Sequence, residues 1–303
     1  MQNKKPLVAI IMNCYNAGEF LREAIDSVLA QTYCNWEIIF WDNQSTDESA
    51  NIVNSYNDDR IKYFYAPKFT KLYEARNYAI EKSSGDFISF LDCDDKWHQD
   101  KLEIQVNAML KTRSDFCYSN YYKLYQNNQI LKANQSTQPS GDILKYQIAN
   151  YSIGILTVVI SRMAWDSMEE KFDPVYNYPG DYDFFIRLLK KVHACYIDSP
   201  LAFYRIDNPN SISNIKKLDN IKESKQNIKK LKKTFSDVDF QKYFKVYQMK
   251  LNLKESVIYA QKGDIEYARK ILSTYKFHGL KNFIMYCLTF IPNLLLFLIR
   301  NKK

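Results

Sequence analysis

Short apolar runs and amphipathic segments alternate along the first hundred residues of the chain. The apolar runs are rich in β-branched and aromatic residues, which is typical of buried strands, and they cover residues 7–12, 36–41, 61–65 and 87–91. Between them, residues 19–31 and 72–82 place apolar side chains at helical spacing. A shorter helix carries Ile52 and Val53, with Ser45 or Thr46 as its expected cap. Strands that alternate with helices over short connections predict a parallel sheet covered by helices.

The pattern is looser after residue 98. We predict a helix over residues 99–111, a hairpin over 115–124 and 129–133, and a further strand over 155–161. A helix opens at Asp181, and two short strands at 194–197 and 202–205 close this region. From Ser211 onward the chain has only Lys-rich amphipathic helix patterns. We therefore predict an α/β domain over residues 1–210 and a smaller α-helical region over residues 211–303.

Charge changes at the same boundary. The net charge is +8, but residues 211–303 carry 20 Lys and Arg against 7 Asp and Glu, so the first part is mildly acidic. A strongly basic second part suggests that the two parts have different partners. Basic charge alone is weak support for nucleic-acid binding, and we expect no nucleic-acid partner.

Cysteine and glycine usage narrows the class of protein. The six cysteines contain no C-x-x-C pair, and residues 1–5 do not open a signal peptide, so reduced thiols in the cytoplasm are expected. The seven glycines form neither G-x-G-x-x-G nor G-K-[ST]. If the protein binds a nucleoside diphosphate, a metal ion rather than a glycine-rich loop would have to neutralise the phosphates.

Three aspartates, Asp92, Asp94 and Asp95, follow the fourth predicted strand. Carboxylates this close repel one another, and a divalent cation such as Mn²⁺ or Mg²⁺ would relieve the repulsion. Ligands of parallel sheets bind at the carboxyl ends of strands, where Asp42 is also expected. The alternative is that Asp94 and Asp95 only cap a helix that begins near Trp97.

Five segments in order carry a resemblance to a known family: PLVAIIMNCYN, QTYCNWEIIFWDNQSTDES, ARNYAIEKSSGDFISFLDCDDKW, GDYDFFIRLL and LAFYRIDNPNSIS. Together they resemble the GT-A glycosyltransferases of family 2 over most of residues 5–213. The resemblance implies a Rossmann-like GT-A domain followed by the helical region. It also implies inverting, metal-dependent transfer of a sugar from a nucleotide-sugar, expected to be a UDP-sugar, in synthesis of bacterial envelope glycans such as lipopolysaccharide.

The resemblance implies roles for several acidic residues. Asp92 and Asp94 match the metal-binding D-x-D motif, and Asp207 stands where relatives often carry a histidine, so it is a candidate third ligand. Asp181 matches the catalytic base, although Gly180 replaces the glutamate that usually precedes it. Asp183 is the second choice for the base, and the alternative role of Asp181 is to cap its helix.

The resemblance also implies a set of donor-binding residues: Asn13, Tyr15, Asp42, Asn43, Arg76, Asp92 and Arg205. Asp42 would lie by the nucleotide base and ribose, and Asn43 replaces a second aspartate of many relatives. Arg76 would approach the diphosphate. The alternatives are a simple Asp-Asn turn for the first pair and an ordinary surface arginine for Arg76.

An apolar segment, residues 283–299, lies near the end of the sequence and is flanked by basic residues. It could lie on the membrane surface, form a core helix of the second region, or span the bilayer. We expect the first: a peripheral protein at the inner face of the cytoplasmic membrane, acting on a glycan or lipid-linked saccharide. A rival hypothesis is a catalytically degenerate GT-A-like scaffold that only binds nucleotide.

Overall fold

The computed structural model describes residues 5–125, 127, 129–206, 208, 216–274 and 280–290. The chain divides into two compact units. The first comprises residues 1–147 and 151–211, and the second comprises residues 148–150 and 212–303.

The first unit contains a nine-stranded mixed sheet. Its strands are β1 (Val8–Cys14), β2 (Trp36–Asp42), β3 (Ile61–Tyr65), β4 (Phe87–Phe90), β5 (Lys96–Trp97), β6 (Phe116–Leu124), β7 (Ile130–Lys132), β8 (Val159–Ser161) and β9 (Ala194–Arg205). The strand order is β3-β2-β1-β4-β8-β6-β9-β5, and β7 pairs with β6. Strands β1 to β4 are mutually parallel, which confirms the parallel sheet predicted from the alternating pattern.

In the part of the chain that the structure describes, seven α-helices accompany the sheet: α1 (Gly18–Leu29), α2 (Ser49–Asn54), α3 (Leu72–Glu81), α4 (Lys101–Thr112), α5 (Leu144–Ala149), α6 (Arg162–Asp166) and α7 (Gly180–Leu188). Helix α1 buries Leu21, Ala24, Ile25 and Val28, the apolar stripe that predicted it. Glu48, not Ser45 or Thr46, occupies the N-cap of α2, so the predicted cap is wrong. The side chain of Ser45 points instead to the backbone N–H of Asn16, at 3.0 Å.

The sheet core requires a glycine just before β4. A Cβ on Gly85 would lie 2.5 Å from the backbone nitrogen of Ala9 in β1. Only a residue without a side chain lets the chain enter β4 this close to β1. The two strands then run in parallel register and end at the same edge.

Three predicted elements differ in the structure. Residues 155–161 form a 3₁₀ turn, Ile155–Thr157, followed by β8. The backbone N–H and the hydroxyl of Thr157 both donate to the Gly154 carbonyl, at 2.9 and 2.7 Å, and close the turn. The two strands predicted at 194–197 and 202–205 are one strand, β9, with irregular pairing to β6. Helix α4 begins at Lys101 after Asp100, so neither Asp94 nor Asp95 caps it.

The second unit is helical in the part that the structure describes. It contains α8 (Lys217–Thr234), α9 (Val238–Gln261), α10 (Ile265–Ser273) and α11 (Leu280–Leu288), and successive helices pack on each other. Its buried side chains include Ile228, Leu231, Phe235 and Phe244. Gly263, with φ of +88°, makes the turn between α9 and α10.

Among the described helices, none combines the length and apolar character that crossing a bilayer requires. Residues 291–299 of the apolar segment lie outside the described residues.

Candidate active site

Polar residues gather where the parallel strands end. Asp42 is the last residue of β2 and pairs in register with Cys14 of β1. The Leu91 N–H bonds to the Ile11 carbonyl at 3.1 Å, so Asp92 emerges from β4 beside the end of β1. The structure therefore brings these carboxylates to one edge, the side of a parallel sheet where ligands bind.

Asp42 is fully buried and held by two hydrogen bonds. Its Oδ1 accepts from the Ser45 N–H at 2.7 Å, and its Oδ2 accepts from the Tyr63 hydroxyl at 2.7 Å. Burial and the bond to Asp42 raise the pKa of Tyr63 above its usual range, so the phenol remains a donor. Each carboxylate oxygen keeps a lone pair, but the residue has no exposed surface, so its contact with the nucleotide stays a prediction.

The other residues predicted to bind the nucleotide differ in burial and in hydrogen bonding. The buried Asn43 amide is engaged with Thr70: it donates to the carbonyl at 2.7 Å and accepts from the N–H at 3.1 Å. The side-chain amide of Asn13 is buried, with no hydrogen-bond partner for its nitrogen or oxygen among the described residues. Tyr15 is 54% exposed and packs edge-to-face on Phe69, with ring centroids 4.9 Å apart.

Arg76 of α3 is buried and bonded to the first aspartate of the D-x-D motif. Its Nη2 lies 2.6 Å from Asp92 Oδ1, and its side chain is 3% exposed against 34% for Asp92. Burial opposes the charge of the guanidinium, but the neighbouring Asp92 carboxylate outweighs it and raises the pKa of Arg76. Arg76 is therefore not an ordinary surface arginine.

The other two aspartates of this loop have different environments. Asp94 Oδ2 accepts from the Asn208 amide at 2.8 Å, and burial together with the charge of Asp92 raises the pKa of Asp94. Asp95 is buried, and its Oδ1 accepts from the Arg205 N–H at 2.9 Å. Burial raises the pKa of Asp95 well above its usual range. Asp95 is therefore part of the loop's internal structure, whereas the Asp92 side chain is 34% exposed.

Arg205 connects the loop that carries Asp92, Asp94 and Asp95 to helix α1. Its Nε donates to the Asp94 carbonyl at 2.9 Å, and its Nη2 lies 2.5 Å from Glu23 of α1. The guanidinium also lies 4.0 Å from the Phe20 ring centroid. The structure therefore gives Arg205 a structural role, and its predicted contact with the donor stays a prediction.

The chemistry of Asp92 and Asp94 fits a hard divalent cation. Both supply carboxylate oxygens, and the like charge that raises the pKa of Asp94 is the repulsion that a cation would remove. Across the described ranges, no cluster of three or more His, Cys, Asp or Glu side chains is arranged to hold a metal ion. The predicted third ligand, Asp207, lies outside those ranges.

Asp181 lies in the first turn of α7 and is partly buried. Its Oδ1 accepts from the Tyr182 N–H at 2.8 Å and from the Tyr73 hydroxyl at 3.2 Å, while its Oδ2 accepts from the Tyr151 hydroxyl at 3.2 Å. Burial raises the pKa of Asp181, and these donors partly oppose the shift. The N-cap of α7 is Pro179, and Asp181 satisfies one of the free N–H groups of the first turn.

Asp183, the second choice for a base, is committed elsewhere. It is fully buried and forms an ion pair with Arg187 one turn along α7, with Oδ2 2.7 Å from Nη2 and 3.0 Å from Nε. Its full burial keeps this carboxylate away from an acceptor, and its charge is neutralised by Arg187. The geometry therefore favours Asp181.

Sequence reasoning missed several partners of the site residues: Tyr73, Tyr151, Tyr63, Asn208 and Glu23. Tyr73 had a detectable signal, because it precedes Arg76 by one helical turn and so shares its face of α3. Tyr151 and Asn208 are far in sequence from the aspartates they contact. No local pattern indicates such contacts.

A mixed sheet whose parallel strands deliver carboxylates to one edge is the architecture of GT-A glycosyltransferases. The fold is similar to those of S. aureus TarS 1–349 in complex with UDP, at a TM-score of 0.60 and 16% identity, and in complex with UDP-GlcNAc, at 0.63 and 15%. These matches cover 90% and 89% of this chain, and 92% of the other chain in both cases.

Sequence comparison gives the family. Residues 9–166 match the model of Glycosyl transferase family 2, and the chain belongs to that family. It is 35% identical to the putative teichuronic acid biosynthesis glycosyltransferase TuaG of Bacillus subtilis, over 71% of this chain and 85% of that protein. It is 37% identical to an Escherichia coli enzyme, the UDP-Glc:alpha-D-GlcNAc-diphosphoundecaprenol beta-1,3-glucosyltransferase WfgD, over 61% of this chain and 70% of that protein.

Proposed function

We propose that this glycosyltransferase transfers a sugar, with inversion, from a UDP-sugar to an acceptor hydroxyl in the synthesis of a bacterial envelope glycan. The observation that carries the proposal is that helix α3 contacts two carboxylates. Tyr73 of α3 bonds to Asp181, and Arg76 of α3 bonds to Asp92 of the D-x-D motif. Such a reaction needs a carboxylate that could take a proton and a second carboxylate group that could anchor a diphosphate.

The donor that we propose is UDP-glucose or UDP-N-acetylglucosamine. The names of the Escherichia coli relative and of the TarS complex point to these two donors. Asp42 would accept from the base or ribose, and the unpaired amide of Asn13 offers both a donor and an acceptor at the same edge. The charge of Arg76 would favour the diphosphate.

We propose that Asp92 and Asp94 hold Mn²⁺ or Mg²⁺. When bound, such an ion stabilises the negative charge that develops on the departing diphosphate. Asp92 would keep its bond to Arg76 through Oδ1, and within the described ranges its Oδ2 shows no hydrogen bond that competes with a metal. Asp207 is the proposed third ligand.

The chemistry assigned to the chain's own residues is a single proton transfer. Asp181 takes the proton of the acceptor hydroxyl while the hydroxyl oxygen bonds to the anomeric carbon and the bond from that carbon to the UDP oxygen breaks. Attack from the face opposite to UDP inverts the anomeric configuration. The raised pKa of Asp181 suits this role, because a base works best when its pKa lies near the working pH.

We further propose that the protein works at the cytoplasmic membrane surface on a lipid-linked saccharide. Helix α8 exposes Lys222, Lys229 and Lys233 on one face, and Phe283 and Ile284 of α11 are 44% and 46% exposed. Exposed basic and apolar side chains of this kind bind to the surface of anionic bilayers without spanning them. The acceptor named for the Escherichia coli relative is attached to diphosphoundecaprenol, a lipid carrier.

The test is release of UDP and sugar transfer to GlcNAc-diphosphoundecaprenol, with UDP-glucose and UDP-N-acetylglucosamine as donors, with and without Mn²⁺. Asp181→Asn should lower transfer by about 10²–10⁴-fold while donor affinity stays unchanged, since Asn cannot accept the proton. Asp94→Asn should instead weaken Mn²⁺-dependent UDP binding.

The product's anomeric configuration, measured by NMR, should be opposite to that of the donor. Retained configuration would contradict the mechanism, as would full activity in Asp181→Asn. Tight UDP binding without turnover for either donor would favour the scaffold hypothesis.

A further inference from the structure

Two phenol hydroxyls converge on Asp181 from different parts of the chain. The Tyr73 hydroxyl, from α3, lies 3.2 Å from Oδ1, and the Tyr151 hydroxyl lies 3.2 Å from Oδ2. Each carboxylate oxygen therefore has its own phenol donor. Together with the backbone N–H of Tyr182, they fix both the position and the plane of the carboxylate.

The ring of Tyr73 is held in place by tight packing. Its side chain is 3% exposed and contacts the ring of Phe172, with centroids 5.4 Å apart. A Cβ on Gly180 would lie 2.4 Å from a ring carbon of Tyr73, so only glycine at this position lets the ring occupy its place. The residue that precedes the base thus makes room for the tyrosine that contacts the base.

The ring of Tyr151 is also fixed. It packs edge-to-face on Tyr182, the residue after Asp181, with ring centroids 4.9 Å apart and an interplanar angle of 79°. Because Tyr182 belongs to the same helical turn as Asp181, this contact ties the Tyr151 hydroxyl to the helix that carries the carboxylate.

Helix α3 connects this arrangement to the D-x-D motif. Tyr73 and Arg76 are one helical turn apart, and the guanidinium lies 5.1 Å from the Tyr73 ring centroid. Tyr73 bonds to Asp181, and Arg76 bonds to Asp92 at 2.6 Å. One turn of helix therefore sets the positions of both functional carboxylates.

We propose that Tyr73 and Tyr151 are positioning residues, which hold the two oxygens of Asp181 as an ionised and oriented base for the acceptor hydroxyl. This inference rests on the proposed function of Asp181 as the base. Hydrogen bonds to a carboxylate favour its charged form, and here they oppose the burial that disfavours it. The groups that face Asp181 are Tyr73, Tyr151, the Tyr182 N–H and the charge of Arg76.

Tyr73 has a second acceptor that suits a change of protonation state. Its hydroxyl also lies 2.9 Å from the carbonyl of Tyr178. A phenol has one proton to donate, and the Tyr73 hydroxyl has two acceptors within reach, the Tyr178 carbonyl at 2.9 Å and Asp181 Oδ1 at 3.2 Å. A charged carboxylate is the stronger acceptor, so ionisation of Asp181 favours the longer bond. Once Asp181 has taken the acceptor's proton, the hydroxyl can turn to the Tyr178 carbonyl without losing a hydrogen bond.

The experiment compares Tyr73→Phe and Tyr151→Phe with the wild type. The pKa of Asp181 is measured by ¹³C NMR of carboxyl-labelled aspartate, assigned with Asp181→Asn, and UDP release from UDP-glucose and UDP-N-acetylglucosamine is measured from pH 5 to 9. Tyr56→Phe is the matched control, because the Tyr56 hydroxyl bonds to Asp26, at 2.8 Å, outside the site. Phenylalanine keeps each ring and its packing.

We expect each site variant to raise the pKa of Asp181 by about one unit, the effect of losing one hydrogen bond to a charged group. The acid limb of kcat should move up with it, so that kcat falls about tenfold at low pH and much less at pH 9. Tyr56→Phe should change neither the pKa of Asp181 measured by NMR nor the acid limb of the pH profile of kcat.

An Asp181 resonance that titrates as in the wild type in both variants would overturn the inference, as would an equal loss of kcat at every pH. Shifted resonances in a protein that releases no UDP from either donor would overturn the proposed function instead. The NMR and turnover measurements therefore separate the two failures.

Discussion

Two buried cations of the first unit show how much a single partner matters. Arg76 is paired with Asp92, and its charge is retained. Lys101 is fully buried; in the described contacts its Nζ donates to the Ser89 hydroxyl at 3.1 Å and lies 4.0 Å from the Trp97 ring centroid. The Ser89 hydroxyl and the Trp97 ring carry no negative charge to balance the lysine, and burial lowers the pKa of Lys101 to about 7.

This lysine makes stability depend on pH. Its pKa is about 7 in the folded protein and 10.5 when unperturbed, so between these values the unfolded chain binds more protons than the folded one. The free energy of unfolding therefore rises with pH across this window. Above about pH 10.5 Lys101 is neutral in both the folded and the unfolded chain, so its burial costs no stability through charge. As the pH falls to about 7, the unfolded chain gains a proton that the folded chain does not, and the free energy of unfolding decreases.

We predict that Lys101→Met raises the free energy of unfolding at pH 7 by about 1–4 kcal/mol, because methionine fills the site without a charge to desolvate. The gain should shrink as the pH approaches 10. Thermal unfolding at pH 7 and pH 9.5 measures both effects, and Lys111→Met, at an exposed position of the same helix, is the control. A gain of equal size at both pH values would contradict the assigned pKa.

For single residues, the sequence predicts which aspartates lie at strand ends, but it does not predict which side chains bond to the functional residues. Asp42 and Asp92 follow apolar runs, so the pattern alone places them at the carboxyl edge. The donors to Asp181 come from residues 73 and 151, and only the folded chain brings them together. The same is true of the Asn43 amide, whose engagement with Thr70 leaves no sequence signal.

At the scale of elements, α1 and α7 both begin with a glycine, but for different reasons. The nearest atom to a Cβ on Gly18 would be a carboxylate oxygen of Asp47 at 3.2 Å, which would have to shift by only a few tenths of an ångström. A Cβ on Gly180 would instead meet the Tyr73 ring at 2.4 Å, in a buried aromatic cluster. The first contact can relax, whereas the second cannot relax without moving a packed ring.

We predict that Gly180→Ala lowers the free energy of unfolding by about 1–3 kcal/mol, the usual cost of overpacking, and lowers kcat by displacing the Tyr73 hydroxyl from Asp181. Gly18→Ala should change stability by only a few tenths of a kcal/mol. Chemical denaturation and UDP release measure the two effects. Wild-type stability in Gly180→Ala would show that the ring can move aside.

Helices and strands with clear periodicity were predicted correctly, whereas features set by particular hydrogen bonds were not. The apolar stripe of α1 and the apolar run of β2 are visible in the sequence. In contrast, the 3₁₀ turn before β8 depends on the Thr157 hydroxyl, and the continuity of β9 depends on pairing with β6. Neither feature changes the hydrophobic period of its segment.

For the whole molecule, the uneven charge is the feature with the widest consequence. The basic residues of α8 include Lys222, Lys229 and Lys233, which are exposed and lie within one face of the helix. An anionic membrane surface attracts each such charge with about 1 kcal/mol. The proposed location therefore depends on these lysines as well as on the apolar segment.

We predict that changing all three of these lysines to glutamate abolishes flotation of the protein with vesicles that contain anionic phosphatidylglycerol. Hydrolysis of a soluble donor should persist, because the proposed active-site residues belong to the first unit. The control changes Lys82, Lys111 and Lys123 of the first unit to glutamate. Unchanged flotation of the α8 variant, at low and at physiological salt, would contradict electrostatic membrane binding.

Helix α3 also limits how this enzyme can be engineered. Because Tyr73 and Arg76 occupy successive turns of one rigid helix, a substitution that shifts α3 moves the contacts of both Asp181 and Asp92. Libraries that vary α3 to change the sugar donor should therefore show strong epistasis, with new donor preferences appearing together with losses of turnover. Phe69 contacts Tyr15, a predicted donor-binding residue, so we expect variation in the loop that carries Phe69 to change donor preference with smaller losses of turnover.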